Sequence, residues 1–532
     1  MEEYETGVAA GSGVPVLAGA DGLAACAEGV VAGLGPLAAG LAALAGAASG
    51  AVTFDEMEVL VTERGRELLR GVIQLALDAQ AAAEVRVAGV AGADGVTRRR
   101  ADRGRRRKMA TTLGVVRVPR IGYRAGVAGA PSLFPRDAAL NLPLRGYSWQ
   151  LQKLVVMCCR SGAYEEAREL VAAVTGVRIG KRQLEQITVA AAADAEQFCQ
   201  DRPRGPVPGG DGDKGKALPV LAISADGKGV AMRPEARRAT ARTPDQRTRN
   251  FKKRLGTGEK TGHKRMAYTG CVFDVEPPPG DAPPRTPAQI MNPLPGHRKT
   301  APTAVNRWYA TDITEGLGTT IARAFGEADR RDPGRQRTWI ALVDGDTSQI
   351  GQIQAKAAER GVTVTILVDF IHVLEYLWKA AWCFHAARDP AAEDWVTAQA
   401  TDILAGRVTD VTARIRRLAG EHPPKPGGEH EKIIRRTLHY LDAKQPCLDY
   451  PAALANGWPI ATGVIEGACR HLVQDRMGIT GARWGLPGAQ AMLWLRAIHA
   501  SDCTDAYWNY HIGREHHRNH LSHYASNLEL AA

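Results

Sequence analysis

The sequence predicts an α/β core that carries a large helical insertion and follows a mainly helical N-terminal region. Three observations predict it. Residues 218–373 hold five apolar runs of strand length; the first three have no helix between them, and each of the last two follows a helical stretch. Residues 376–458 then keep a helical period throughout. Finally, two of the runs end on aspartates, Asp344 and Asp369, in ALVDGDTSQIGQIQAKAAERGVTVTILVDFIH (341–372). A carboxylate is costly to bury unpaired, so strands that give out on one usually have a use for it.

The chain has 532 residues and a formal charge of +11, enough for about two to four structural units and suited to a polyanionic partner. Nine scattered cysteines without a CxxC read as reduced thiols. Residues 1–54 form an Ala/Gly-rich leader. Its stretch 30–54 is uncharged, but Pro36 and the acidic MEEYE start argue against a signal peptide or a span. Residues 55–200 read as a helical N-terminal region, with Met57, Leu60, Val61, Leu68, Leu69, Ile73 and Leu77 on one stripe. Within it TRRRADRGRRRK (97–108) packs eight Arg/Lys into twelve residues. This basic arm, with Arg98, Arg99, Arg100, Arg105, Arg106, Arg107 and Lys108, precedes an alternating hairpin, TTLGVVRVPRIGYR. Arm and hairpin suit a phosphate backbone, and a solvated linker is the bland alternative. Short helices around TGVRIGKRQ are compatible with a helix-turn-helix.

The Gly/Pro-rich linker 201–217 marks the expected boundary. The core, 218–375, opens with LPVLAISADGKGVAM, a strand expected to meet Asp226 and then turn at Gly-Lys-Gly. Residues 233–265 hold twelve Arg/Lys against three acids and read as a basic loop, with Lys252, Lys253 and Arg254 at its centre. Strands are expected at 265–277, 306–313, 337–346 and 362–373, and helices at 317–331 and 347–361, the latter capped by Asp346. That order is the order of the ribonuclease H-like fold, in which the ends of the first and fourth strands lie side by side. Asp226 and Asp344 are those ends.

Phosphoryl transfer to water or a 3′-hydroxyl uses two hard cations about 4 Å apart, which want carboxylate oxygens. A third acid is found after the insertion, in the returning region 459–500: PIATGVIEGACRHLVQDRMGITGARWG, where Thr462 can cap a helix with Glu466 in its first turn and Arg470 one turn on.

The blocks SADGKG, LVDGD, VDFIHVLEYLWKAAW, TGVIEGACRHLVQDRM with ITGARW, and AMLWLRA resemble those of DDE transposases of the ISKra insertion-sequence type, more distantly the Mutator-like transposases. The resemblance covers roughly 105–525. It implies a DNA-binding helical N-terminal part and a ribonuclease H-like catalytic core. It also implies a metal-binding triad Asp226, Asp344 and Glu466 holding Mg²⁺ or Mn²⁺, as two ions. Metal-activated water would then cut the element's ends, and the freed 3′-hydroxyl would attack target DNA. Double-stranded DNA, a homo-oligomeric synaptic complex and a cytoplasmic, nucleoid-associated location are implied as well. Asp369 and His372 match a (C/D)xxH element and are expected to support the site; a rival alignment makes Asp369 the second catalytic acid. A cysteine-rich N-terminal segment common in the wider group is missing from 122–135. Alternatives are a ribonuclease H-like nuclease or resolvase, and a non-catalytic DNA-binding derivative. Trp378 and Trp382, at i and i+4, are either core or a platform for an unpaired base. The His-rich tail 501–532 favours DNA contact or a helical surface over zinc.

Overall fold

The computed structural model describes residues 53–205, 217–237, 264–278, 284–292 and 301–525, with Gly35, Ala39 and Ala42. The leader and the centre of the basic loop, including Lys252, Lys253 and Arg254, lie outside the described residues. The chain divides into two compact units, Met1–Asp194 with Asp505–Ala532, and Ala195–Thr504. The division precedes the expected linker because the helix Ala195–Asp201 packs with its own unit; next to it Arg202 pairs with Glu327.

In the first unit the helix Phe54–Ala82 starts on a capping box, with Thr53 and Glu56 bonding each other's backbone amides. Only part of its expected stripe is used: Ile73 and Leu77 pack on Met109, Val116 and Val118, whereas Met57, Val61 and Leu69 stay exposed. Two short strands, β1 (Val90–Ala91) and β2 (Thr97–Arg98), pair with each other. The expected basic arm is itself a strand. β3 (Arg100–Thr111) pairs antiparallel with β4 (Gly114–Arg124), so arm and hairpin are one ribbon. Three helices, Trp149–Ser161, Tyr164–Thr175 and Lys181–Ala191, pack on one another. The expected tail is a core helix, Thr504–Asn519. Its His511 is buried against Asp194 at 2.7 Å and ringed by Trp149, Tyr507 and Trp508. Arg518 also binds Asp194, at 2.5 Å, so the Asp194, His511 and Glu515 cluster is neutralised from within.

The second unit is built on a five-stranded mixed sheet. β5 (Val220–Ala231), β6 (Lys264–Glu276), β7 (Thr303–Asp312), β8 (Thr338–Val343) and β9 (Val364–Val368) stand in the order β7-β6-β5-β8-β9. β5, β6 and β7 are antiparallel neighbours, and β8 and β9 run parallel to β5. The expected Gly-Lys-Gly turn after Asp226 is not a turn. β5 continues to Ala231 because β6 supplies ladder partners as far as Lys264. Gly227 is needed there: a Cβ would lie 2.9 Å from the Tyr268 ring. The helices Leu317–Arg331 and Thr347–Arg360 are the crossovers, the second capped by Asp346, which accepts the Gln349 amide at 2.8 Å. The last strand is shorter than expected. Asp369 caps a helix, Phe370–Phe384, that begins where strand was expected to run on, so His372 is helical. That helix leads into the helical segment Ala391–Leu404, Val408–Glu421, Glu429–Lys444 and Tyr450–Ala455. Among the described residues no helix is long and apolar enough to cross a membrane.

Candidate active site

Strand register aligns the aspartates. β5 and β8 pair Ser224 with Leu342, so two residues further along that register Asp226 comes level with Asp344. β8 and β9 pair Val343 with Val368, which brings Asp344 level with Asp369; the Asp369 amide donates to the Val343 carbonyl at 2.7 Å. Neighbouring strands lie about 4.8 Å apart. Three acids therefore stand in one row where β8 and β9 end and β5 outruns them, the edge at which α/β sheets bind ligands.

The three differ sharply in surroundings. Asp344 is exposed, and its Oδ1 accepts the Asp346 amide at 2.8 Å, leaving the other oxygen open. The following Gly345 has φ +97°, and a Cβ there would meet the Tyr440 hydroxyl at 2.8 Å. Asp226 is half-buried and accepts the Gly227 amide at 2.6 Å. Asp369 is fully buried, and its carboxylate accepts three hydrogen bonds. It accepts from the amides of Ile371 at 2.7 Å and Thr462 at 3.2 Å, from the Thr462 hydroxyl, and faces His372 Nδ1 at 3.4 Å. Burial would raise its pKa, but the contacts from His372, Thr462 and the two amides outweigh burial and hold it low. His372 is pushed up in turn, first by Asp369 and further by the charges of Asp344 and Glu375.

Glu466 sits on the short helix Gly463–Ala468 and is exposed. Thr462 precedes it but does not cap with its side chain; the hydroxyl goes to Asp369 and lies 3.3 Å from Glu466 Oε1. This links Glu466 to Asp369 and His372, and the three offer ligand atoms within 4.8 Å of one another. Directly after the helix, a π-helical turn, Cys469–Gln474, crosses β5 and β6; such bulges recur at functional sites. It puts Cys469 beside Asp226, and burial together with that charge drives the thiol pKa far up. Arg470 is exposed within the turn, without an ion pair to Glu466. Further on, Trp484 bonds the end of β5 through the Ala231 carbonyl and the Arg233 amide, at 3.0 and 2.9 Å.

Against known proteins the chain matches no family model and no curated relative.

Carboxylate oxygens suit a hard divalent cation, and Asp369, His372 and Glu466 form a group whose ligand atoms could hold one, with Asp226 and Asp344 on the neighbouring strand ends. Asp369 has about four lone-pair sites, three of which carry formed hydrogen bonds, from the Ile371 and Thr462 amides and the Thr462 hydroxyl. The buried Nδ1 of His372 lacks a formed hydrogen bond, 3.4 Å being long for one.

Three further residues at the site carry no local sequence signal. Tyr440 bonds the Asp344 carbonyl at 3.1 Å and stacks on Tyr376 at 3.9 Å. Lys444 bonds Thr347 at 2.9 Å, and Tyr450 bonds the Val368 carbonyl at 2.9 Å. All come from the helical insertion, whose offset of about a hundred residues no window reads. Trp378 and Trp382 are not core: Trp378 is half-buried, Trp382 is 42% exposed, and their rings stack at 5.5 Å.

The basic residues expected to hold phosphates divide in two. Arg98, 1% exposed, is used up on Asp94, Val96 and Pro131, and Arg107 on Asp137, Pro143 and Leu144. They are structural, which corrects their expected role. Arg99, Arg100, Arg105, Arg106 and Lys108 are exposed, Arg105 in an ion pair with Asp102.

Proposed function

We propose that the chain is a DNA transposase whose second unit is a ribonuclease H-like core of the DDE type. The observation that carries this is the row Asp226–Asp344–Asp369 at the ends of β5, β8 and β9, in the sheet order β7-β6-β5-β8-β9, with Glu466 returned to Asp369 after a helical insertion. Sheet order and strand directions agree with that fold, and the sequence blocks that resemble ISKra-type transposases contain these acids. Asp226, Asp344 and Glu466 would hold Mg²⁺ or Mn²⁺, which supplies charge neutralisation at the attacking and leaving oxygens of an in-line displacement. Asp369 orients His372 and, through Thr462, Glu466; Tyr440 fixes the turn carrying Asp344. The Trp378–Trp382 stack, with Trp382 exposed, suits an unpaired base.

The test is cleavage of duplexes carrying the element's ends, with Mg²⁺, Mn²⁺ or EDTA. Asp226→Asn, Asp344→Asn and Glu466→Gln should each cut at least a thousandfold more slowly, on the order expected for a lost metal clamp, with end binding kept. Cutting without strand transfer would instead favour a nuclease or resolvase. Full activity of the Asp344→Asn chain would overturn the triad.

A further inference from the structure

The ribbon β3–β4 has two unlike faces. Met109, Val116 and Val118 on the inner face pack on Ile73 and Leu77, and Arg107 is held there by Asp137. The outer face has Arg106, Lys108 and Arg117, all exposed. Lys108 stands directly opposite Arg117, and Arg100 opposite Arg124. Like charges across an antiparallel rung oppose pairing. At the second rung Asp102 relieves the repulsion, through Arg124 at 3.5 Å, but no acid is paired with Lys108 or Arg117 among the described residues. The folded chain therefore holds an unfavourable rung that a polyanion would relieve.

Both ribbon edges are also blocked. Gln74 bonds the Arg117 amide and carbonyl, each at 2.8 Å. On the other edge, the Ala110 amide donates to Gly146, and its carbonyl accepts from Ser148, each at 2.8 Å. Such a ribbon does not recruit a further strand; its outer face is what it has to offer.

We infer that this ribbon is a groove-binding element for B-form duplex DNA, with Arg106, Lys108 and Arg117 on the phosphates flanking the major groove. The major groove of B-DNA admits a two-stranded ribbon, whereas the deep, narrow groove of A-form RNA does not. The inference deepens the transposase reading and rests on it for the choice of partner, but its test needs no catalysis.

The experiment uses the full chain and a 30-base-pair duplex without element ends, with Kd measured across a salt series. In the triple variant Arg106→Gln, Lys108→Gln, Arg117→Gln, the slope of log K against log salt should become shallower by about 2.7, from about 0.9 per phosphate contact. Its melting temperature should not fall, because the lost charges repelled each other. An equal charge loss at Arg417, Lys425 and Lys432 should leave the slope within one unit of wild type. Methyl green, a major-groove ligand, should displace the wild-type chain, and distamycin, a minor-groove ligand, should not. An unchanged slope in the triple variant, displacement by distamycin alone, or equal binding to duplex RNA would each overturn the inference. Loss of metal-dependent cleavage with an intact ribbon slope would count against the transposase reading instead, so the two failures are distinguishable.

Discussion

Replacing Asp369 by asparagine separates a supporting acid from a metal-holding one. The carboxylate accepts from two amides and the Thr462 hydroxyl and faces the His372 ring at 3.4 Å. An amide oxygen accepts about two such contacts, and the new NH₂ group faces donors. Asparagine still caps a helix well, so the Ile371 contact survives. Loss of two charge-assisted contacts at about 1.5–3 kcal/mol each gives about 3–6 kcal/mol. At about 2 °C per kcal/mol for a unit of this size, melting should fall by about 6–12 °C. Asp344→Asn removes an exposed group and should shift melting by less than about 2 °C, while abolishing metal-dependent cleavage. The pH dependence has a definite sign. Asp369 is held below its ordinary 3.8, so its stabilisation is present above that pH and is lost as pH falls through the lowered value. His372 is held above 6.5, so its share is present below that pH and is lost as pH rises through the raised value. The gap between wild type and Asp369→Asn should therefore be widest in mildly acid solution and narrow on both sides. Calorimetry across pH, with end cleavage in parallel, tests this. Asp369→Asn melting like wild type, or Asp344→Asn cutting normally while Asp369→Asn is dead, would refute the division of roles.

Two further outcomes concern other parts of the second unit. Burial opposes ionisation of Glu327, but bonds from Arg330 and the charges of Arg202 and Arg331 bring its pKa to about 2 from 4.5; its contribution of about 3 kcal/mol should be present above pH 4.5 and fade as pH falls toward 2. Glu327→Gln should cost about 3–5 kcal/mol by leaving those arginines unpaired, which denaturant melts at neutral pH can check. Trp382→Ala, at a 42% exposed position, should change stability by less than about 1 kcal/mol yet slow cleavage of duplex ends by about 1–3 kcal/mol. A mismatched end should restore the rate because the base is already unstacked, and no rescue there would rule out a stacking role.

The sequence by itself determined the element order of the second unit, because apolar runs of strand length and helical period are local properties. All five strands lie where their patterns predict, and Asp346 caps its helix as its position requires. Boundaries set by partners were illegible. β5 runs past Asp226 because β6 continues beside it, and β9 stops at Val368 because Asp369 turns the chain into a helix. The same holds for the split among the arginines: one basic run contains Arg98, buried, and Arg107, half-buried, both held on acids and carbonyls, and Lys108, open to solvent. Pairing into a ribbon decides which side each one faces. The tail looked like a charged surface because His511 finds Asp194 only across more than three hundred residues. Tertiary structure alone joined Glu466 to Asp369 through Thr462 and set Tyr440 over the Asp344 turn. Residue type can nominate a carboxylate for chemistry, but how many donors already occupy it is known only once distant segments have packed around it.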